Sequence, residues 1–141
     1  MLALDDASVP ELRFWTPSGE QRAPRPDEAF GTIEWSPDGT LLRDYTNQGS
    51  LIYDGTTGAA VAQLDGRLQW SPSGQNLTVM TADDSVWLAD RVGGAQRLLS
   101  DYATRATWFP DSQHLAMQIE NELYVTDVAG SVPRLVAQLA P

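Results

Sequence analysis

The chain contains no cysteine and no lysine, and one histidine, His114. Without cysteine there is no disulfide, no thiolate metal site and no cysteine nucleophile. One histidine is too few for a histidine-based metal site. As a general base His114 would need a nucleophile and an orienting partner, and no Gly-x-Ser-x-Gly elbow is present; it reads as a surface or hairpin residue. There is no glycine-rich phosphate loop and no Asp-x-Asp-x-Asp-Gly calcium loop. No apolar run reaches the length of a membrane-spanning helix. The N-terminus Met1-Leu2-Ala3-Leu4-Asp5-Asp6 lacks the basic stretch and long apolar core of a secretory signal, which slightly favours the cytoplasm. All nine basic residues are arginine, against nineteen acidic ones, for a net charge of −10. That balance argues against nucleic acid and anionic membrane as partners.

What is present is a repeat. Trp35-Ser36-Pro37-Asp38-Gly39 returns as Trp70-Ser71-Pro72-Ser73-Gly74 and, altered, as Trp108-Phe109-Pro110-Asp111-Ser112. Trp70 follows Trp35 by 35 residues, and Trp108 follows Trp70 by 38. Proline presets φ at the first central position of a turn, Asp or Ser suits the next, and Gly the exit. Each stretch therefore reads as strand, tight turn, strand. A second mark keeps the same register. Apolar runs end in aspartate at Leu51-Ile52-Tyr53-Asp54, Val86-Trp87-Leu88-Ala89-Asp90 and Leu123-Tyr124-Val125-Thr126-Asp127, each followed by a glycine-containing turn and a further strand.

Each unit thus predicts four short strands, a to d. The fold class expected is all-β: a β-propeller of four-stranded antiparallel blades, with about three and a half blades in this chain. The whole chain, 1–141, is expected to be one propeller segment. It divides into a half-blade at about 11–30 and blades at 31–66, 67–104 and 105–141. The half-blade rests on Leu12-Arg13-Phe14-Trp15-Thr16-Pro17-Ser18-Gly19, which lines up with Leu51 to Gly58; its strands a and b would lie before residue 1. The third Pro turn, with Phe109 and Ser112 in place of Ser and Gly, is expected to be looser. Trp35, Trp70 and Trp108 are expected in the core between blades. The repeated Asp54, Asp90 and Asp127 are expected to accept turn N–H groups. Asn76-Leu77-Thr78 matches a glycosylation sequon but falls inside a predicted strand and is taken as chance.

The Trp-Ser-Pro-Asp-Gly stretch, with an apolar run ending in Asp about 19 residues later, resembles the WD40-like β-propeller repeat of the TolB type over about residues 11–140. The resemblance implies a non-catalytic platform for protein or peptide contacts, with no cofactor and no metal. TolB-like propellers also precede the hydrolase domain of prolyl-oligopeptidase-like serine peptidases, where they gate access. A gating propeller separated from its hydrolase is therefore the alternative reading.

Propeller geometry sends the d–a and b–c loops to one face. That face carries Asp27, Glu28, Asp65, Asp83, Asp84, Asp101 and Glu120, and its loops differ most between units. Asp65, Asp83, Asp84, Asp101 and Glu120 are the candidate partner-binding residues. The expected partner is a protein or a basic peptide steered by charge. A merely solvated acidic rim is the other reading. The remainder of a longer propeller, or a second copy meeting exposed strand edges, is a further partner to consider.

Overall fold

The computed structural model describes residues 2–4, 10–16, 19–24, 29–46 and 49–140. Within them the chain is strand and turn throughout, and no helix forms. The strands group into two units, Met1–Asp65 and Gly66–Pro141.

The first unit holds two antiparallel sheets. One has three strands, β1 (Leu2–Leu4), β2 (Pro10–Thr16) and β3 (Gly19–Pro24). The other runs β4 (Ala29–Trp35), β5 (Leu41–Thr46), β6 (Gly49–Asp54) and β7 (Ala60–Leu64), paired in sequence order. The first sheet departs from expectation. Leu2–Leu4 pairs with β2, Leu2 opposite Leu12, so a strand b lies within the chain. Leu2, Ala3 and Leu4 are too short an apolar run to stand out as a strand by alternation alone. Asp5, Asp6, Asp27 and Glu28 lie outside the described residues.

The second unit holds two complete four-stranded sheets. They are β8 (Arg67–Trp70) to β11 (Arg97–Ser100) through β9 (Asn76–Met80) and β10 (Val86–Asp90), and β12 (Arg105–Trp108) to β15 (Arg134–Gln138) through β13 (His114–Ile119) and β14 (Glu122–Asp127). Their facing sides make the core of this unit. Val86, Ala103 and Met117 form one buried cluster; Leu88, Trp108 and Leu115 form the other, and Leu99 packs against both. Burying each such side chain contributes about 1.5–3 kcal/mol. Alternation decides which residues take part: Trp108 opposes Leu115 and Ala106 opposes Met117, all on the same side of the sheet.

The Pro turns repeat in detail. Gly39 N–H donates to Ser36 O and Gly74 N–H to Ser71 O, both at 2.8 Å, with φ of +73° and +76° at the glycines. Ser112 holds the third turn at φ +61°, its N–H donating to Phe109 O at 3.1 Å. The third turn is longer by a few tenths of an ångström, as the loss of glycine predicts, yet it closes. A second regularity was not visible in the sequence. The c–d pairing slips by one residue in all three four-stranded sheets, at Ile52/Tyr53, Val86/Trp87 and Leu123/Tyr124. Such bulges twist an outer strand and make it a poorer template for a foreign strand.

The tryptophans do not behave alike. Trp70 and Trp108 are each 8% exposed, whereas Trp35 is 41% exposed, contrary to its expected core position. Trp108 bridges the two sheets of its unit, its indole N–H donating to Gln69 O at 3.1 Å. Trp70 donates to Arg91 O within its own sheet. Asn76 is half-buried, and Leu77 and Thr78 are buried, so the sequon sits in the sheet and not on a loop. Asp44 is fully buried in β5.

Candidate functional site

The two ends of the second unit use their acidic residues differently. At the end carrying the Pro turns and c–d turns, the carboxylates hold their own turns. Asp90 Oδ1 accepts Val92 N–H at 3.0 Å and Gly94 N–H at 2.9 Å. Asp127 accepts Ser131 N–H at 3.1 Å and Ser131 Oγ–H at 2.6 Å. Asp111 Oδ1 accepts Gln113 and His114 N–H, and its Oδ2 lies 2.6 Å from His114 Nδ1. The first unit repeats the pattern, Asp54 Oδ1 accepting Thr56 and Thr57 N–H at 2.7 and 3.0 Å. These bonds favour the charged form. The Thr56 amide holds Asp54 below the usual carboxylate range, the Gln113 amide does so for Asp111, and the Ser131 hydroxyl for Asp127.

His114 thus has an acidic partner in Asp111. Its ring is half-exposed and lies 5.8 Å from that of Phe109. With a carboxylate as acceptor, Nδ1 carries the proton. The hydroxyl of the nearby Ser112 instead accepts Ser73 N–H at 2.8 Å, bridging the two sheets. Among the described residues no group of three or more His, Asp or Glu side chains is placed to hold a metal ion.

The opposite end gathers four of the five candidate residues. Asp83 and Asp84 form the β9–β10 turn, Asp101 begins the loop from β11 to β12, and Glu120 tips the β13–β14 turn. Backbone bonds tie these loops together. Ala103 N–H donates to Asp84 O at 2.8 Å, and Thr104 donates to Gln118 O through N–H at 2.9 Å and Oγ1–H at 3.1 Å. Asp84 and Glu120 take positive φ, +65° and +52°, the tight-turn conformation that Asp tolerates better than most residues. All four are exposed. Asp65, the fifth, is exposed at the end of β7 in the first unit.

These carboxylates are not equivalent. Asp83 Oδ1 accepts the Thr81 hydroxyl, Ser85 N–H at 3.2 Å and Ser85 Oγ–H at 2.8 Å; the Thr81 hydroxyl is the main cause of its lowered pKa. Asp83 is therefore a turn cap like Asp54. The carboxylates of Asp84, Asp101 and Glu120 make no hydrogen bond or ion pair among the described residues. Next to Asp101 stands a residue that the sequence did not single out. Tyr102 is 42% exposed, held by Ser100, whose hydroxyl donates to Tyr102 O and accepts its N–H. An aromatic flanked by aspartate was the available signal. Arg105 is the basic residue at this end of β12.

No protein-family model matches the chain, and no curated protein sequence matches it. Solved structures do. A TolB from Agrobacterium tumefaciens aligns over 82% of this chain and 48% of its own, at 18% identity and TM-score 0.56. The C-terminal WD40 domain of Sif2 aligns over 89% of this chain and 41% of its own, at 16% identity and TM-score 0.60. Dipeptidyl peptidase 4 of Porphyromonas gingivalis aligns over 78% of this chain and 20% of its own, at 17% identity and TM-score 0.58. The chain therefore spans less than half the length of each of these structures. With its four-stranded antiparallel sheets, the fold of this chain is that of the WD40-like, TolB-type β-propeller repeat.

Proposed function

We propose that this propeller segment is a non-catalytic scaffold that captures a basic peptide or protein segment on the d–a and b–c loops. One observation carries the reading. In the second unit Asp90, Asp111 and Asp127 at one end are engaged by their own turns. At the other end Asp84, Asp101 and Glu120, with an exposed Tyr102 next to Asp101, lie on loops pinned to one another by backbone bonds. Pinned loops lose little entropy on binding. Carboxylates without intramolecular partners are open to an arginine or lysine, and an exposed phenol ring stacks under a cation. The charge of −10 steers such a partner inward.

The test is fluorescence anisotropy with a labelled decapeptide of mixed arginine, lysine and glycine, at low and physiological salt. Reversing Asp84, Asp101 and Glu120 to lysine abolishes binding on this reading, and Tyr102→Ala weakens it several-fold. Equal binding by the reversed protein refutes it.

The likeness to the P. gingivalis dipeptidyl peptidase 4 favours a second reading, a gating propeller next to a serine-peptidase domain. A hydrolase domain encoded in the same reading frame, with peptidase activity in the whole protein, decides for it.

A further inference from the structure

We infer that Asp65 is a site of spontaneous covalent modification: its peptide with Gly66 isomerises to isoaspartate in the folded protein, while the other two Asp-Gly peptides of the chain are held against the same reaction. This inference is independent of the peptide-capture reading, which rests on Asp84, Asp101 and Glu120.

Asp-Gly occurs at Asp38-Gly39, Asp54-Gly55 and Asp65-Gly66. The chemistry needs no enzyme. The backbone nitrogen that follows the aspartate attacks the side-chain carbon Cγ. An N–Cγ bond forms, and the amide proton and a carboxyl oxygen leave as water. The product is a five-membered succinimide. Water then adds to one of its two carbonyl carbons and breaks the C–N bond there. Opening at Cγ restores aspartate. Opening at the backbone carbonyl carbon leaves the chain running through Cβ and Cγ, with the former backbone carbonyl as the free carboxylate. Nothing is oxidised or reduced, and the water lost is regained. Glycine favours the attack because no Cβ crowds its nitrogen or restricts its backbone.

Ring closure asks the carboxyl group to leave its own hydrogen bonds and turn back on the next nitrogen. Two of the three sites resist. Asp38 Oδ1 accepts the Ser36 hydroxyl at 2.7 Å, Thr40 N–H at 3.1 Å and the Thr40 hydroxyl at 2.7 Å. The nitrogen that would attack it is also engaged, Gly39 N–H donating to Ser36 O at 2.8 Å. Asp54 Oδ1 is held by the Thr56 and Thr57 amides, and Gly55 N–H donates to Thr40 O at 2.8 Å. Asp65 differs. With Gly66 it makes the whole connection between β7, ending at Leu64, and β8, beginning at Arg67. It is exposed, and its carboxylate caps no turn among the described residues. The side chain can therefore swing onto the following nitrogen without giving up a bond of its own.

The product does not fit the native loop. Gly66 lies hard against β9, where a Cβ would come within 2.6 Å of Met80 O and 2.9 Å of Val79 Cγ1. Arg67, the next residue, pairs with Met80. A backbone lengthened by one carbon just before Gly66 has no room there, so isomerisation loosens β8 on β9.

The test is to age the intact protein for several weeks, warm and near neutral pH, in water enriched in oxygen-18. Each passage through the succinimide takes up one heavy oxygen. Trypsin gives one peptide ending at Arg43 that carries Asp38, and another from Asp44 to Arg67 that carries Asp54 and Asp65, in which fragment ions locate the label. The label at Asp65 is expected to exceed that at Asp38 and Asp54 at least about tenfold, the effect of one or two hydrogen bonds that must break first at those sites. In guanidinium chloride the three sites should label alike. Asp65→Glu, which keeps the charge but would need a six-membered ring, removes the label from this position. The isomerised fraction, separated by anion exchange, should melt below the fresh protein. Label at Asp38 or Asp54 equal to that at Asp65 in the folded protein overturns the inference. So does an Asp65 without label, a ranking unchanged in guanidinium, or an isomerised fraction that melts with the fresh protein.

Discussion

Ser112 offers a test in which two physical effects pull in opposite directions. It occupies the left-handed region at φ +61°, where Gly39 and Gly74 stand in the other two Pro turns. For a residue with a Cβ that conformation costs roughly 1–2 kcal/mol. Judged by strain alone, Ser112→Gly would be stabilising. Yet Ser112 is buried and its hydroxyl accepts Ser73 N–H at 2.8 Å from the neighbouring sheet. Losing that bond costs about 1 kcal/mol, and up to about 3 if the Ser73 amide is left without water. Glycine also gives back about 0.5–1 kcal/mol through the greater entropy of its unfolded chain. The net expectation for Ser112→Gly is a loss of about 0.5–2 kcal/mol, combining these terms. Ser112→Ala keeps the strain and loses the bond, for about 1–3 kcal/mol. Urea unfolding of the three proteins should rank them serine, glycine, alanine. A glycine variant more stable than wild type would show that the strain relieved at this position outweighs the bond between the sheets, and would refute the expected ranking.

Two further outcomes follow from the same geometry. A Cβ at Gly55 would lie 2.7 Å from Trp35 Cζ3 and 2.9 Å from Thr40 O, so Gly55→Ala should lower the urea midpoint by about 1–3 kcal/mol of stability and shift Trp35 fluorescence; an unchanged midpoint and spectrum would mean that Trp35 does not pack on this turn. Asp54, Asp83, Asp111 and Asp127 have folded pKa values lowered from 3.8, so their contribution is complete above that value and is lost as pH falls through the lower folded values. The urea midpoint should therefore be level near neutral pH and fall below about pH 4, and a midpoint that rises on acidification would contradict the assigned hydrogen bonds.

The periodic features of the chain were legible because they depend on local chemistry repeated three times. A proline turn closes whatever lies around it, and an aspartate at a strand end finds the amides of the next few residues. The turns close at Gly39, Gly74 and Ser112, and Asp54, Asp90 and Asp127 accept turn amides as expected. The strand Leu2–Leu4 was missed because a short edge strand carries almost no periodic signal. Likewise Asp83 and Asp84, adjacent and identical in sequence, differ because the Thr81 and Ser85 hydroxyls converge on one of them alone.

The sequence by itself determined the unit: four strands, a prolyl turn, an indole and an acidic strand end, since each is settled within a few residues of chain. The tertiary structure alone decided what each copy of that unit does. Trp108 donates to Gln69 thirty-nine residues away and is buried, whereas Trp35, in the same motif, is left partly exposed. Arg97 donates to Val128 O, thirty-one residues away on the turn of a neighbouring sheet. The difference lies in which sheet stands beside each residue, and a motif repeated along the chain does not record its neighbours in space.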